Sequence, residues 1–291
     1  MTQILKLNNI IEGIVVKRPS KHIKTPYVAD VKSSSTGEEV LCHTASLGCC
    51  GLADTNALIL MTPNSNKKTT KCSHSAFLSI IQEKDKDNNA IKEVIIGINP
   101  KLAEQLVETA LNKNLFSKLQ NIKSYNREKA IYIKDKVDSR FDFTGTDQNG
   151  IPFIMEVKNV PLADYEDMTL KERKKYDFAG RAFDSKVAYF PDGYRKSSSE
   201  PVSPRALKHI KELTYIKSQS TLEKPIRCIM CYVIQRDDVN RFQVSVIDPE
   251  YRKAVKDAIE SGIEIITMVV SWNRQGEASF VRDDLPITSF D

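Results

Sequence analysis

The sequence predicts an α/β protein with a β-rich N-terminal part. Three features carry this expectation: short extended runs separated by turn residues up to residue 98, a helical period that starts at Pro100, and alternating helix and strand patterns beyond it. In the first part, Ile14–Lys17, Tyr27–Lys32, Glu39–His43, Ala57–Thr62 and Val94–Ile98 are the extended candidates. Pro, Gly, Ser and Asn set them apart at the spacing of a small barrel or sandwich. Asp85–Asn89 reads as a polar loop. Leu102, Leu106, Ala110 and Leu111 then recur at helical spacing, which predicts a helix over Pro100–Leu111 and divides the chain into 1–98 and 99–291.

The second part predicts a hairpin, a polar segment and a helix over Ser203–Ser218. A buried strand (Arg227–Ile234), a second strand (Phe242–Ile247), a helix (Tyr251–Ser261) and a last strand (Ile263–Ser271) follow. This mixed order fits a sandwich around a central sheet. Residues from about 161 to 203 break the pattern as a charged insertion, with LKERKKYDF and KSSSEPVSP inside it, and no internal repeat is visible.

The hairpin, SRFDFTGTDQNGIPFIMEVKN over residues 139–159, holds the chemistry. Phe141 and Phe143 alternate with Arg140, Asp142 and Thr144, and Asn149-Gly150 suits a tight turn that needs φ > 0. On the return, Phe153, Met155 and Val157 form the apolar side while Glu156 and Lys158 share the other. Asp142, Glu156 and Lys158 can thus converge. Two carboxylates are hard oxygen ligands for Mg²⁺, or Mn²⁺, and a lysine beside them could orient a water and offset charge on a phosphate. Spacing alone fits an ordinary solvent-facing hairpin with an ion pair better, because E-x-K is common. In the Ser203–Ser218 helix, Arg205 and His209 are four apart on one polar side, opposite Leu207, Ile210 and Thr214. That side reads either as a phosphate contact or as a solvated face.

Charge and composition narrow the classes. Net charge is +5 over 291 residues, but Lys171–Lys217 alone holds twelve Lys/Arg against six Asp/Glu, a surplus of +6 beside the carboxylates. Such a surplus suits a polyanion, or a solvated surface segment. No apolar run is long enough for a membrane span and no secretory signal is read, so a cytoplasmic protein with no membrane role is expected. The six cysteines form no disulfide framework for a chain this long and are read as reduced thiols. Cys42, His43, Cys49, Cys50, Cys72 and His74 lack zinc spacing, and Cys228 and Cys231 sit in the apolar run RCIMCYVI, where a strand points them to opposite faces.

The chain also resembles the sugar fermentation stimulation protein A (SfsA) family across nearly its whole length. SRFDF, MEVKNVPL, YFPDGY, RALKHIKEL, CYVIQRDDVNRF and IDPEY carry the resemblance by their order and spacing. EGIVVKRPSKHIKTPYVADV, VLCHTASLG and TPNSNKKTT are weaker matches in register. The resemblance implies an OB-like barrel followed by a PD-(D/E)xK restriction-endonuclease-like α/β domain that binds nucleic acid, expected to be DNA. It implies Asp142, Glu156 and Lys158 as a nuclease triad, with Asp142 and Glu156 on the metal. It also implies that Arg205, His209, Arg236, Lys67 and Lys68 contact nucleic acid and that Gln235 lines the same cleft. The chain departs from the pattern in places. Ala45-Ser46 replaces a Pro-Asn pair, Ala206 replaces a glycine, and the helical glutamate before Ala110 is Thr109, which leaves Glu108 as its substitute. A fold kept for DNA-binding regulation without catalysis is the alternative implied, and a protein with no nucleic-acid role is a third.

Overall fold

The computed structural model describes residues 1–44, 51–64, 71–84, 91–178, 180–191 and 201–290. Lys67 and Lys68 lie outside them, as do Cys49, Cys50 and the Ala45-Ser46 pair.

The first strand, β1 (Thr2–Lys6), leaves the barrel to its successors. These are β2 (Ile11–Lys17), β3 (Val28–Ser33), β4 (Glu39–Thr44), β5 (Leu58–Pro63) and β6 (His74–Lys84). They pair in the order β4-β3-β2-β5-β6, and a parallel β4–β6 pairing closes the ring. Five strands closed in this order make the OB-like barrel, and closure removes the exposed edges an open sheet would carry. Val15, Val31, Ile59, Met61 and Ile96 fill its core. Gly13 is a glycine because a Cβ there would stand 2.7 Å from Val31 Cγ1. A further strand, β7 (Ile91–Gly97), pairs with β6 and leads out of the barrel.

The α/β part starts with α1 (Pro100–Asn112). Asn99 caps it by accepting the Lys101 N–H, and Pro100 takes the first position, where a missing N–H costs nothing. After it come β8 (Ser124–Ile133), β9 (Val137–Thr146), β10 (Pro152–Val160), the short β11 (Ala163–Asp164), the single turn α2 (Leu170–Arg173) and β12 (Lys186–Phe190). The chain ends through α3 (Pro204–Ser218), β13 (Arg227–Ile234), β14 (Val239–Val244), α4 (Pro249–Glu260), β15 (Glu264–Trp272) and β16 (Glu277–Arg282).

Seven strands form the main sheet, ordered β1-β16-β15-β13-β10-β9-β8, with β10, β13 and β15 parallel at its centre. β13 is buried on both faces, which is why its sequence is a continuous apolar run instead of an alternating one. Cys228 and Cys231 pack on opposite faces of it, as the strand period requires, and burial pushes the Cys228 thiol up to about 12. α1 covers one face with Leu102, Leu106, Val107 and Ala110; α3 and α4 cover the other with Leu207, Ile210, Leu213 and Val255. β11, β12 and β14 form a small separate sheet. Among the described residues no helix is long and apolar enough to cross a membrane, and no disulfide forms.

The two parts interlock. β1 pairs with β16, so the N-terminal strand belongs to the second sheet. At the end of β7, the Gly97 N–H donates to the Gln235 carbonyl at 3.0 Å. Gln235 itself is fully buried, donating to Asn159 Oδ1 at 2.5 Å and accepting the Trp272 indole N–H at 3.2 Å.

Candidate active site

The hairpin is a five-residue loop closed by Asp147, not a two-residue Asn-Gly turn. Asp147 Oδ1 accepts the N–H groups of Asn149 and Ile151, both at 2.9 Å, and only Gly150 takes positive φ. β9 and β10 pair from Thr146↔Pro152 to Phe143↔Met155 and then part. Beyond this point Phe143 packs with the α1 core while Phe141 packs with the α3 core, so the alternation read from sequence breaks at Asp142. Glu128 on β8, which would face Asp142, takes φ +50°, a left-handed conformation rare outside glycine. The Asp142 carboxylate closes the gap, accepting the orphan Val157 N–H at 2.7 Å.

Glu156 and Lys158 share one side of β10, as the strand period predicts. Glu156 is 2% exposed, and its Oε1 is engaged by both Lys158 Nζ and His209 Nδ1. Lys158 Nζ is also 3.5 Å from His209 Nδ1. The other carboxylate oxygen, Oε2, is buried with no partner. A buried acceptor left unmade is costly, so this oxygen is what the arrangement leaves for a ligand. Burial first, and the Glu156 charge second, push the Asp142 carboxyl from 3.8 up to about 7. Burial also acts to raise Glu156, but Lys158 and His209 outweigh it and hold that carboxyl below its ordinary range.

Asp142, Glu156 and Lys158 line a cleft of about 400 Å³, with Glu104 from α1, Asn159 beyond Lys158, and Ser203 and Arg205 from the start of α3. Arg205 is exposed and makes no ion pair or hydrogen bond among the described residues.

Four sequence expectations are corrected. His209 is not on a solvated face: it is 3% exposed, holds Glu156 and packs on Phe141 with ring centroids 5.9 Å apart. Glu108 does not reach the cleft, because Tyr125 Oη donates to it at 3.1 Å and Arg127 at 2.8 Å. Arg236 is buried, donates to both carboxylate oxygens of Asp238 at 2.6 and 2.7 Å, and reaches the Pro161 carbonyl, so no guanidinium face is left for phosphate. Gln235 does not line the cleft either; it braces Asn159 next to Lys158.

The acid missed by sequence reasoning is Glu104. It lines the cleft, its charge adds to the upward push on Asp142, and it is 2.9 Å from Arg127. Glu104 and Glu108 are one turn apart on the same side of α1. The cleft lies toward the N-terminal end of α1, where Pro100 and Ala103 also line it; the sequence itself offered only the one-turn spacing of Glu104 from Glu108.

A closed five-stranded barrel joined to an α/β sandwich, with a carboxylate–lysine cleft at a parted hairpin, defines a class that the comparisons make specific. The family model described as the sugar fermentation stimulation protein RE domain matches residues 101–276. The sugar fermentation stimulation protein homolog of Nostoc sp. is 30% identical over 258 residues, covering 87% of this chain and 86% of that protein. The homolog of Pseudoalteromonas atlantica is 25% identical, with 92% and 93% covered. Among solved structures, Pyrococcus furiosus SfsA in complex with Ca²⁺ superposes with a TM-score of 0.71 at 18% identity, over 99% of this chain and 100% of that one. The chain belongs to the sugar fermentation stimulation protein (SfsA) family.

Proposed function

We propose that this chain binds nucleic acid, with DNA the expected partner, and hydrolyses phosphodiester bonds at the cleft with bound Mg²⁺ or Mn²⁺. The observation that carries the reading is the buried Glu156, one oxygen fixed by Lys158 and His209 and the other without a partner, beside an Asp142 whose carboxyl is pushed up to about 7. Asp142 and Glu156, which line the cleft with Glu104, are oxygen donors of the kind a hard divalent ion prefers. The Pyrococcus furiosus relative was solved in complex with Ca²⁺, another hard cation, which is in keeping with this reading. The PD-(D/E)xK likeness of the sequence motifs points the same way.

Asp142 and Glu156 would hold the metal, which when bound lowers the pKa of water and polarises a phosphate oxygen. Lys158, fixed against Glu156, orients the attacking water and offsets charge that builds on the phosphate. His209 holds Glu156 in place from α3, and the exposed Arg205 at the rim receives a phosphate. The test is a cleavage panel with Mg²⁺ and Mn²⁺ over duplex, single-stranded and branched substrates. Asp142→Ala and Lys158→Ala should each abolish cutting while binding persists. Clean, metal-supplemented protein that cuts no DNA or RNA form rejects the catalytic reading.

One observation favours a second reading. Lys158 is engaged with Glu156 and close to His209, so the cleft can persist as a binding fold without turnover. That protein would show strongly salt-dependent DNA affinity and no cleavage.

A further inference from the structure

Next to the cleft lies a groove of about 420 Å³ that the proposed chemistry does not use. Ser139 of β9 lines one side; Arg205, Lys208 and His209 of α3 line the other. Arg205 belongs to both concavities, and His209 stands between the groove and Glu156. Two side-chain cations of α3, Arg205 and Lys208, line this groove, while Asp138 and Arg140 alternate with Ser139 along β9 and face the other way.

Two independent features point to an anion. Ser139 is 8% exposed, and its hydroxyl is buried without a partner. A buried hydroxyl with neither donor nor acceptor satisfied is costly unless a ligand meets it. The other feature is the N-terminus of α3, a fifteen-residue helix whose Ser203 makes no side-chain cap bond and whose Pro204 occupies the first position. Its first-turn N–H groups and the positive end of its dipole favour negative charge at this end. The cations remain available to different degrees. Lys208 donates to the Asp138 carbonyl at 2.5 Å and is 3.7 Å from Glu212 Oε1, and Arg205 has no partner among the described residues.

We propose that this groove is a second phosphate subsite, which holds the phosphate adjacent along the strand to the one in the cleft. The assignment rests on the phosphodiesterase reading and specifies its substrate: a nucleic-acid strand that continues past the cut over the start of α3. Arg205, shared by the two sites, spans neighbouring phosphates.

The test is equilibrium binding of a fluorescein-labelled oligothymidylate to the full chain in EDTA, over a series of KCl concentrations. Lys208→Gln should weaken binding about tenfold and flatten the log–log salt dependence by about 0.7, the contribution of one phosphate contact on a single strand. Ser139→Ala should weaken binding several-fold with the slope unchanged, because it removes a hydrogen bond and no charge. Inorganic pyrophosphate should compete with the oligonucleotide on the wild type and poorly on Lys208→Gln. Wild-type affinity and slope in both variants, or a wild type that binds neither probe, overturns the subsite. Metal is absent throughout, so a chain that binds as expected but never cuts refutes catalysis and leaves the subsite supported.

Discussion

Neutralising Asp142 should stabilise the metal-free protein even as it removes the proposed activity. In the fold, the Asp142 carboxyl keeps its proton up to about pH 7, against 3.8 for the ordinary group, because it is buried and faces Glu156. Between those pH values the folded state binds more protons than the unfolded chain, so stability falls as pH rises through that window and is flat above it. A displacement from 3.8 to about 7 corresponds to about 4 kcal/mol in the limit. Asp142→Asn removes the charge yet keeps an oxygen to accept the Val157 N–H, so the fold loses no hydrogen bond at the parted hairpin.

In EDTA at pH 8, Asp142→Asn should therefore be more stable than wild type by about 2–4 kcal/mol, and the gain should vanish near pH 4. Thermal and urea unfolding of both proteins across this range measure the difference. Mg²⁺ should reverse the order at pH 8, because a ligand that binds only the folded wild type raises its stability by mass action. Equal stabilities at pH 8 without metal, or a variant less stable there, would refute the argument that the fold holds a desolvated Asp142 charge beside Glu156 at a cost.

Glu104→Gln should weaken Mg²⁺ or Mn²⁺ binding by about tenfold or more in calorimetry, whereas Glu108→Gln should leave it unchanged, since Glu108 is committed to Tyr125 and Arg127. Arg236→Ala should cost about 3–5 kcal/mol in denaturant unfolding by leaving Asp238 and Lys186 as a buried, incompletely paired cluster, with no change in the salt slope of nucleic-acid binding. Gly97→Ala would set a Cβ 1.8 Å from Gln235 Oε1 and 2.9 Å from Trp272 Nε1. It should lower stability by about 1–3 kcal/mol in the same unfolding assay.

Much of the architecture was legible because its elements are half-buried and keep their periods. The helices α1, α3 and α4 begin and end close to where spacing places them, and the face shared by Glu156 and Lys158 follows from the strand period alone. Several strands escaped notice, and not all for want of an apolar face: β6 buries Ala76, Leu78 and Ile80 at alternate positions, and β12 is largely buried. Two others gave less to read. β8 is an outer strand with an almost wholly exposed, charged sequence, and β1 finds its partner β16 some 270 residues away. His209 was misplaced for a related reason: a polar residue on a helix reads as solvated until its partner is known, and Glu156 is 53 residues distant. Arg236 was misread although Asp238, two residues on, already offered its carboxylate.

The ion pair and the metal site, which spacing presented as competing accounts of one hairpin, are not alternatives. Any E-x-K on a strand brings the lysine beside the glutamate. On an exposed hairpin water would satisfy both carboxylate oxygens, and the pair would contribute little and bind nothing. Here burial removes the water. Lys158 and His209 converge on the same oxygen, and no group among the described residues meets the other. The parting of β9 from β10 then brings Asp142 to the backbone of Val157, within electrostatic reach of Glu156, at the expense of the fold's own electrostatics. A hairpin shaped only for stability would close its ladder and leave both carboxylates in solvent. The break at Asp142 is explained if a cation occupies the gap.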